Sequence, residues 1–433
     1  MKTPIWSLVL VLLSTLSYAD GHKVGLESSL KEVEKQVISW RRDLHENPEL
    51  SNREFKTAAK IARILSNLEF DNVQTGVAHT GVVGTLVGGK PGPVIALRAD
   101  MDGLPVQEQT GLSFASKATG EYNGNPVSVM HACGHDTHMA MLLGAAQVLA
   151  DNRAELAGTV KFIFQPAEEG PPAGEDGGAK LMIEEGVLKG AHVPEAILGL
   201  HAWPGKTGAL YYRSGALMAA AESLLITVEG VQTHGSSPWG GVDPIYVSSQ
   251  IMTALQGIPS RFLDITKGPA VITIGSIHGG VRGNIIPDKV EMMGTIRTFN
   301  KEVREVLHEK MHKTIQGIAD AAGAKVTVET HGYTPVTGND PVLLRKMMPT
   351  LQWAAGEENV LESRLITGAE DFSRYQEHIP GLFLMLGTND PGVAPEDSPS
   401  NHSPFFSPNE AALMSGVRAL VGFAFDYASV NKK

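Results

Sequence analysis

The hydrophobic and polar positions along the chain follow two periods in turn. Apolar side chains recur every three or four residues through 26–68, 136–149 and 409–427, and this spacing predicts helices there, the second of them capped by Asp136. Short apolar runs typical of buried strands lie between the helical stretches, at 81–86, 94–97, 158–164, 196–200 and 382–386. Strands and helices in alternation predict an α/β fold with a largely parallel sheet.

The pattern changes between about residues 219 and 332. The order there is strand, helix, two strands, helix, strand, with strands predicted at 223–229, 270–278, 288–298 and 325–330. This order is typical of a separate α+β domain of the split β-α-β type. Because alternation of strands and helices resumes afterwards, we expect a first domain in two parts, 20–218 and 333–433, with the 219–332 domain inserted between them.

The first 19 residues have the pattern of a secretory signal peptide. Lys2 precedes an apolar run over residues 5–16, and Ser17-Tyr18-Ala19 places small residues where a signal peptidase reads the chain. We expect cleavage after Ala19 and a periplasmic or secreted protein with no membrane contact. An uncleaved anchor is the alternative, although about a dozen apolar residues are short of the roughly 20 that span a bilayer.

Charge and composition indicate which classes of binding partner the protein can have. The chain has 36 Lys and Arg against 47 Asp and Glu, a formal net charge of −11, which disfavours binding to nucleic acid or anionic membranes. Small molecules are therefore the expected partners. The chain has one cysteine, Cys133, so no disulfide can form within it. A lone cysteine is most often a small buried hydrophobe, and its neighbours must decide whether it does more.

Candidate metal ligands lie directly before the predicted helix at 136. Residues 131–138 hold three histidines besides Cys133, and thiolate and imidazole are the ligands that borderline-soft divalent metals prefer. Asp100 and Asp102 follow the predicted strand at 94–97, where α/β sheets commonly place catalytic groups. One of them could orient a ligand histidine. Capping of the strand end is the alternative reading.

Two adjacent carboxylates, Glu168 and Glu169, follow the strand predicted at 158–164. Adjacent residues outside a helix point in different directions, so one can bind a metal while the other faces a bound water. A solvated acidic turn is the alternative. Five side chains along the chain then offer enough ligands for two metals: Cys133, His135, Glu169, His201 and His402.

These motifs in this order resemble a known family. Residues 131–138, 165–169, 199–204, 368–372 and 402–404 look like the zinc aminoacylase and carboxypeptidase family, and most closely its amidohydrolase branch, which includes hippurate hydrolases and indoleacetyl-amino-acid hydrolases. The resemblance runs from about residue 30 to 425. It implies a two-domain α/β protein, with a metallopeptidase-like catalytic domain and an inserted α+β domain that serves as lid and dimerisation domain.

The resemblance also implies roles in the catalytic domain. The five ligands named above match the family's metal ligands, with Cys133 in place of an aspartate. They would hold two divalent ions, Zn²⁺ or Mn²⁺, although Co²⁺ and Ni²⁺ suit the same ligands. Glu168 matches the general base that takes a proton from metal-activated water. Asp102 matches the aspartate that steers a metal-bound histidine, and His135 would supply that imidazole because Asp100 stands where the wider family has one.

Three residues of the inserted domain match family positions as well. His234 resembles a histidine that reaches a partner subunit's active site and stabilises the oxyanion, which implies a homodimer. Asn284 and Arg297 match positions that hold the substrate's carbonyl or carboxylate. A bidentate grip by Arg297 on a carboxylate favours N-acyl amino acids over simple amides.

The expected activity is hydrolysis of the amide bond of N-acyl amino acids, either hippurate-like or N-acetyl. An exported dipeptidase or carboxypeptidase would use the same dinuclear centre, and only substrate preference separates it from this reading. A non-catalytic metal or solute binder would keep the ligands without needing Glu168. A serine hydrolase is disfavoured because the chain lacks a Gly-x-Ser-x-Gly elbow. The acyl group, the amino-acid preference and the physiological metal stay open.

Overall fold

The structure is a computed structural model that describes residues 6–430, with side chains described from Gly25 onward. The predicted leader at 1–19 therefore lies outside the described side chains, and it stays a prediction. The α-helices of the described part are α1 Trp6–Glu46, α2 Phe55–Asn67, α3 His135–Asp151, α4 Gly178–Glu184, α5 Pro244–Arg261, α6 Lys301–Ala322, α7 Pro341–Ala355, α8 Ser373–Gln376 and α9 Leu413–Val430.

The strands of the described part fall into one large sheet, one sheet of four strands and several short pairs. They are β1 Asn72–Val77, β2 Gly81–Val87, β3 Lys90–Asp100, β4 Thr119–Tyr122, β5 Asn125–Ser128, β6 Ala157–Gln165, β7 Ile197–Trp203, β8 Leu210–Tyr212, β9 Gly215–Met218, β10 Ala220–Glu229, β11 Thr233–His234, β12 Ala270–Gly279, β13 Ile285–Ile286, β14 Lys289–Thr298, β15 Lys325–Thr334, β16 Thr337–Asn339, β17 Val360–Glu362 and β18 Gly381–Gly387.

The chain divides into two compact units. The first comprises Met1–Tyr212, Asn339–Glu362 and Tyr375–Lys433. Its eight-stranded sheet has the order β1-β2-β6-β3-β7-β18-β8-β17, and the four central strands β6, β3, β7 and β18 run parallel. Nearly every residue of β6, β7 and β18 is buried, as expected of central strands covered on both faces. The α/β fold is thereby confirmed, with antiparallel strands added at the edges.

Helices α1, α3, α7 and α9 contribute to the core of this first unit. The segment Glu410–Val430, which contains α9, is the one stretch of the described chain that is long and apolar enough to cross a membrane, and 67% of its apolar 18-residue window is buried inside the protein. Its apolar side chains join the same core as those of the sheet. Helix α9 is therefore buried in the way expected of a core helix.

The second unit comprises Arg213–Gly338 and Ser363–Arg374. Its four-stranded antiparallel sheet has the order β12-β14-β10-β15, and α5 and α6 pack with it around a separate core. Buried and less buried residues alternate along β10, since only one face of this sheet meets the helices. The sequence of elements is the predicted split β-α-β arrangement.

Three local features differ from the sequence expectations. The helical stretch at 26–68 is broken at 47–54, so it forms the end of α1 and the whole of α2. Asp136 is not a helix cap, because Gly134 occupies the N-cap and the Asp136 carboxylate pairs with Arg41 and His45 instead. Ser363–Arg374, expected in the first domain, groups with the second unit, where Ile366 forms a bridge to Met218 at the end of β9.

Candidate metal centre

The candidate ligands of the first unit meet at the carboxyl edge of its parallel strands. Asp100 at the end of β3 lies opposite Gln165 at the end of β6, and β7 beside β3 carries His201 near its end. Side chains that follow neighbouring parallel strands come together at one edge of a sheet, which is where α/β proteins bind their ligands. The fold therefore gathers segments that are far apart in sequence.

A left-handed glycine positions two of the ligands. Gly134 caps α3 with φ of +90°, so the chain turns sharply between Cys133 and His135. A Cβ at position 134 would also lie only 3.0 Å from the Cβ of Ala202 in β7. The turn thus directs the thiol and the imidazole towards the same point beside the sheet.

The five predicted ligands lie together in two overlapping groups. Ligand atoms of Cys133, His135 and His201 are within 4.8 Å of one another, and so are those of Cys133, Glu169 and His402. Cys133 Sγ lies 3.5 Å from His201 Nε2 and 3.3 Å from His402 Nε2. Because the thiol belongs to both groups, Cys133 would help to hold either ion. Glu168 lies at the same centre, with its Oε2 3.8 Å from His135 Nε2.

Asp102 connects the orientation of His135 to the loop that carries the two glutamates. Its Oδ1 lies 3.3 Å from His135 Nδ1, which leaves Nε2 facing the centre. Its two oxygens also accept the backbone N–H groups of Glu168 at 3.1 Å and Glu169 at 3.0 Å, and Ser51 Oγ donates to Oδ2 at 2.7 Å. Burial opposes the charge, yet His135 and Ser51 lower the pKa of Asp102, so it stays ionised.

His138 lies beside these ligands, but both of its ring nitrogens are already engaged. Nδ1 lies 2.5 Å from Asp100 Oδ1, and Nε2 accepts the backbone N–H of Ala202 at 2.7 Å. His138 is therefore neutral with its proton on Nδ1, and burial lowers its pKa in keeping with this. Asp100 also accepts a hydrogen bond from the buried guanidinium of Arg98 at 2.6 Å. His138 supports the site without offering a lone pair to a metal.

His201 and His402 present Nε2 to the centre in different ways. His201 Nδ1 lies 2.8 Å from the carbonyl oxygen of Ala202 and donates to it, which leaves the Nε2 lone pair towards Cys133. His402 lies in a loop with φ of +69°, where its own N–H donates to the carbonyl of Ala132. Its Nε2 is 3.0 Å from Glu169 Oε1, and this contact raises the pKa of His402.

The electrostatics of the centre fit a bound cation. Burial and then the nearby carboxylates of Glu169 and Glu168 raise the pKa of the Cys133 thiol well above its usual range. Against the opposing effect of burial, Asp100 and Asp102 raise the pKa of His135 to about 10. Both ring nitrogens of His135 are buried, and neither makes a hydrogen bond of good geometry within the described chain, although Nδ1 lies 3.3 Å from Asp102 Oδ1. Thiol, imidazole and carboxylate donors in such a negative field match divalent zinc-like ions.

Sequence reasoning missed the residues that support these ligands: Ser51, Arg98, His138 and Asn401. Asn401 Nδ2 donates to the carbonyl oxygens of Cys133 and Ala202, both at 3.1 Å, and so ties the His402 loop to the centre. His138 could have been found, because it follows His135 by three residues on the same helix face. Nothing local in the sequence marks Ser51.

The predicted residues of the second unit lie on β11, directly before β13, and on β14. His234 in β11 and Ile285 in β13 are paired, and Gly235 N–H donates to the carbonyl of Asn284 at 2.9 Å, so His234 and Asn284 are neighbours. Ser236 N–H donates to His234 Nδ1 at 3.1 Å, which places the histidine proton on Nε2 as a free donor. Arg297 is half-buried in β14, and burial lowers its pKa.

Comparison with known proteins bears on this centre. Residues 96–426 match the model of peptidase family M20/M25/M40. Thermostable carboxypeptidase 2 of Saccharolobus solfataricus is 40% identical over 412 residues, which cover 93% of this chain and 98% of that protein. The N-acetylcysteine deacetylase of Bacillus subtilis is 40% identical over 384 residues, covering 88% of this chain and 94% of that protein.

A solved structure agrees with these relatives. The Bacillus subtilis YXEP protein, described as a dinuclear metal binding peptidase, superposes with a TM-score of 0.76 at 37% identity and covers 92% of this chain and 99% of its own. The resemblance stated from the sequence is therefore confirmed.

Proposed function

This chain belongs to peptidase family M20/M25/M40, a family of metal-dependent hydrolases that act on amide bonds, and from that premise we propose that it hydrolyses N-acyl amino acids. The observation that carries the proposal is the overlap of two ligand groups at Cys133, beside the carboxylate of Glu168. Two divalent cations on such ligands would polarise an amide carbonyl and acidify water. A binder without catalysis would have no need of Glu168.

The chain's own residues supply the proton transfers. Asp102 accepts the backbone N–H of Glu168 and so fixes the loop that carries it. The Glu168 carboxylate is not needed to hold the loop and can act on the reacting water. In our proposal it accepts a proton from the attacking water and returns it to the leaving amine. In our proposal His234, which is exposed and accepts the Ser236 N–H at Nδ1, donates its Nε2 proton to the developing oxyanion.

Arg297 supports an amino acid as the leaving group. Its guanidinium is half-buried, and no carboxylate of the described residues lies within ion-pair distance of it. A desolvated guanidinium lacking such a partner favours binding of an external carboxylate, which a free α-carboxylate would supply. We further propose that the protein is exported, as its N-terminal pattern predicts, and that it acts as a homodimer.

The test is metal-dependent turnover. Purified protein, stripped with a chelator and reloaded with Zn²⁺ or Mn²⁺, is assayed on hippurate and on N-acetyl amino acids. We expect release of free amino acid only with metal, and a loss of about 10²–10⁴-fold in kcat for Glu168→Gln with metal content unchanged. The exposed Glu357→Gln serves as the matched control. Full activity of Glu168→Gln would exclude its role as base.

A carboxypeptidase is the second candidate, since relatives of that name are 40% identical to the chain. The same assay therefore includes dipeptides and N-blocked dipeptides with the same C-terminal residue. Faster release from these than from N-acyl amino acids would favour the peptidase reading.

A further inference from the structure

A short hairpin stands beside the metal centre. Strands β4 and β5 are joined by Asn123 and Gly124, whose φ values of +52° and +75° are those of a tight type I′ turn. The hairpin packs closely on the preceding loop, because a Cβ at Gly120 would come within 2.9 Å of Leu50 Cδ1. The turn and this packing hold Tyr122 in place at the hairpin tip.

A pocket of about 310 Å³ lies between this hairpin and the metal ligand Glu169, wholly within the first unit. Leu50, Leu104 and Tyr122 supply apolar walls. Ser51 also lines the pocket, and its hydroxyl donates to Asp102 at 2.7 Å. The pocket is therefore continuous with the residues that orient His135 and the glutamate loop.

The charged residues of the pocket are mutually satisfied or exposed. Arg53 holds Glu175 through two contacts, Nη2 to Oε1 at 2.5 Å and Nη1 to Oε2 at 3.1 Å. Glu169 is directed to His402 at 3.0 Å, and Glu121 is exposed on the hairpin. Three carboxylates and one guanidinium thus line the pocket, with the guanidinium already occupied. Because Arg53 is paired with Glu175, none of the residues that line the pocket offers a free cation to an anionic group, while the walls offer apolar contact.

We propose that this pocket binds the acyl group of the substrate and selects an uncharged, preferably aromatic or aliphatic, acyl group over an anionic one. The inference rests on the proposed hydrolysis of N-acyl amino acids and specifies which acyl groups that reaction accepts. The volume accommodates a benzoyl group, and Tyr122 provides a ring against which it can pack. An N-succinyl or similar group would bring a second carboxylate against Glu175 and Glu121.

The test uses four derivatives of one amino acid: N-acetyl, N-benzoyl, N-succinyl and N-glycyl. We expect kcat/KM for the succinyl compound to be at least about tenfold below that of the acetyl compound. Glu175→Gln releases Arg53, so the ratio of succinyl to acetyl turnover should rise about five- to tenfold. The added substitution Arg53→Met should abolish that rise. Glu184→Gln, exposed on α4 outside the pocket, should leave the ratio unchanged.

Tyr122→Ala tests the apolar wall separately. It should lower the ratio of benzoyl to acetyl turnover about two- to tenfold. Equal turnover of succinyl and acetyl compounds, preference for the glycyl compound, or unchanged ratios in both Glu175→Gln and Tyr122→Ala would overturn the assignment of the pocket. No turnover of any derivative with any metal would instead refute the proposed function itself, so the two failures are distinguishable.

Discussion

Asp100 is buried between two side chains, and each of its oxygens has its own partner. Oδ2 accepts from Arg98 at 2.6 Å, and Oδ1 lies 2.5 Å from His138 Nδ1. Arg98 is only 2% exposed, so without the carboxylate its guanidinium would be a poorly compensated buried charge. We predict that Asp100→Asn lowers the free energy of unfolding by about 3–5 kcal/mol, measured by urea denaturation of the metal-free protein.

Asp176→Asn is the control for this prediction, because the Asp176 side chain is 74% exposed and its change should stay within about 0.5 kcal/mol. Equal stability of Asp100→Asn and the unmodified protein would mean that the amide replaces the carboxylate without loss, and the account of a charge-paired Arg98 would be wrong.

For single residues, the sequence predicted which side chains belong to the site better than it predicted their protonation states. Cys133 and His135 could be identified because their motif is local and chemically distinctive. The protonation of His138 could not, because it depends on Asp100 in β3 and on the N–H of Ala202 in β7, which are distant in sequence. A ligand and a supporting histidine look alike until both ring nitrogens have been located.

Among the elements, β10 and α6 are joined by a nearly buried carboxylate. Glu222 is 3% exposed and accepts from Arg304 Nε at 2.6 Å and Nη2 at 2.8 Å, with His308 Nε2 at 3.1 Å. Burial opposes its charge, but His308 and Arg304 lower the pKa of Glu222 to about 2. Because the pKa of Glu222 is lower in the folded than in the unfolded protein, its ionised carboxylate stabilises the fold above about pH 4.5. This stabilisation is lost as the pH falls towards 2.

We therefore predict that Glu222→Gln weakens the attachment of α6 by about 1–3 kcal/mol at neutral pH. Amide hydrogen exchange in α6 should accelerate roughly 5- to 150-fold, with no comparable change in α9 of the first unit. Glu302→Gln, whose side chain is 70% exposed on the same helix, is the matched control. Unchanged exchange in α6 would contradict the role of Glu222 as an anchor.

Element prediction succeeded where amphipathic periodicity was strong and failed where structure depends on a turn or a distant partner. The strands and helices of 219–332 have clear periods and were predicted in the right order. The β4–β5 hairpin was missed, although Asn123-Gly124 is a strong hairpin signal, because its strands are short and mostly exposed. The placement of 363–374 depends on pairing with Met218, which no local pattern reveals.

For the whole molecule, the parts of the proposed reaction are divided between the two units. The five candidate ligands and Glu168 belong to the first unit, whereas His234, Asn284 and Arg297 belong to the second. The proposed reaction therefore draws on residues of both units, and these can come from one chain or from two. Sequence could assign the residues to domains, but the choice between one chain and two concerns assembly, which depends on surfaces far apart in the chain.

We predict that His234 acts in trans within a homodimer. Glu168→Ala and His234→Ala chains, carrying different affinity tags and expressed together, would be purified as mixed dimers. The Glu168→Ala homodimer, which lacks the base, should lose about 10²–10⁴-fold in kcat. The His234→Ala homodimer, which lacks the oxyanion donor, should lose about 10²–10³-fold. In the mixed dimer, the intact ligand-bearing unit of one chain meets the intact His234 of the other, so about half of the unmodified activity should return.

Action within one chain would give the opposite result. Both chains of the mixed dimer would then carry a defective site, and its activity would stay as low as that of either homodimer. A monomer by sedimentation, with full activity in the unmodified protein, would likewise refute the prediction. The two variants alter residues in different units. Recovery of activity in the mixed dimer would therefore mean that His234 of one chain completes the site of the other.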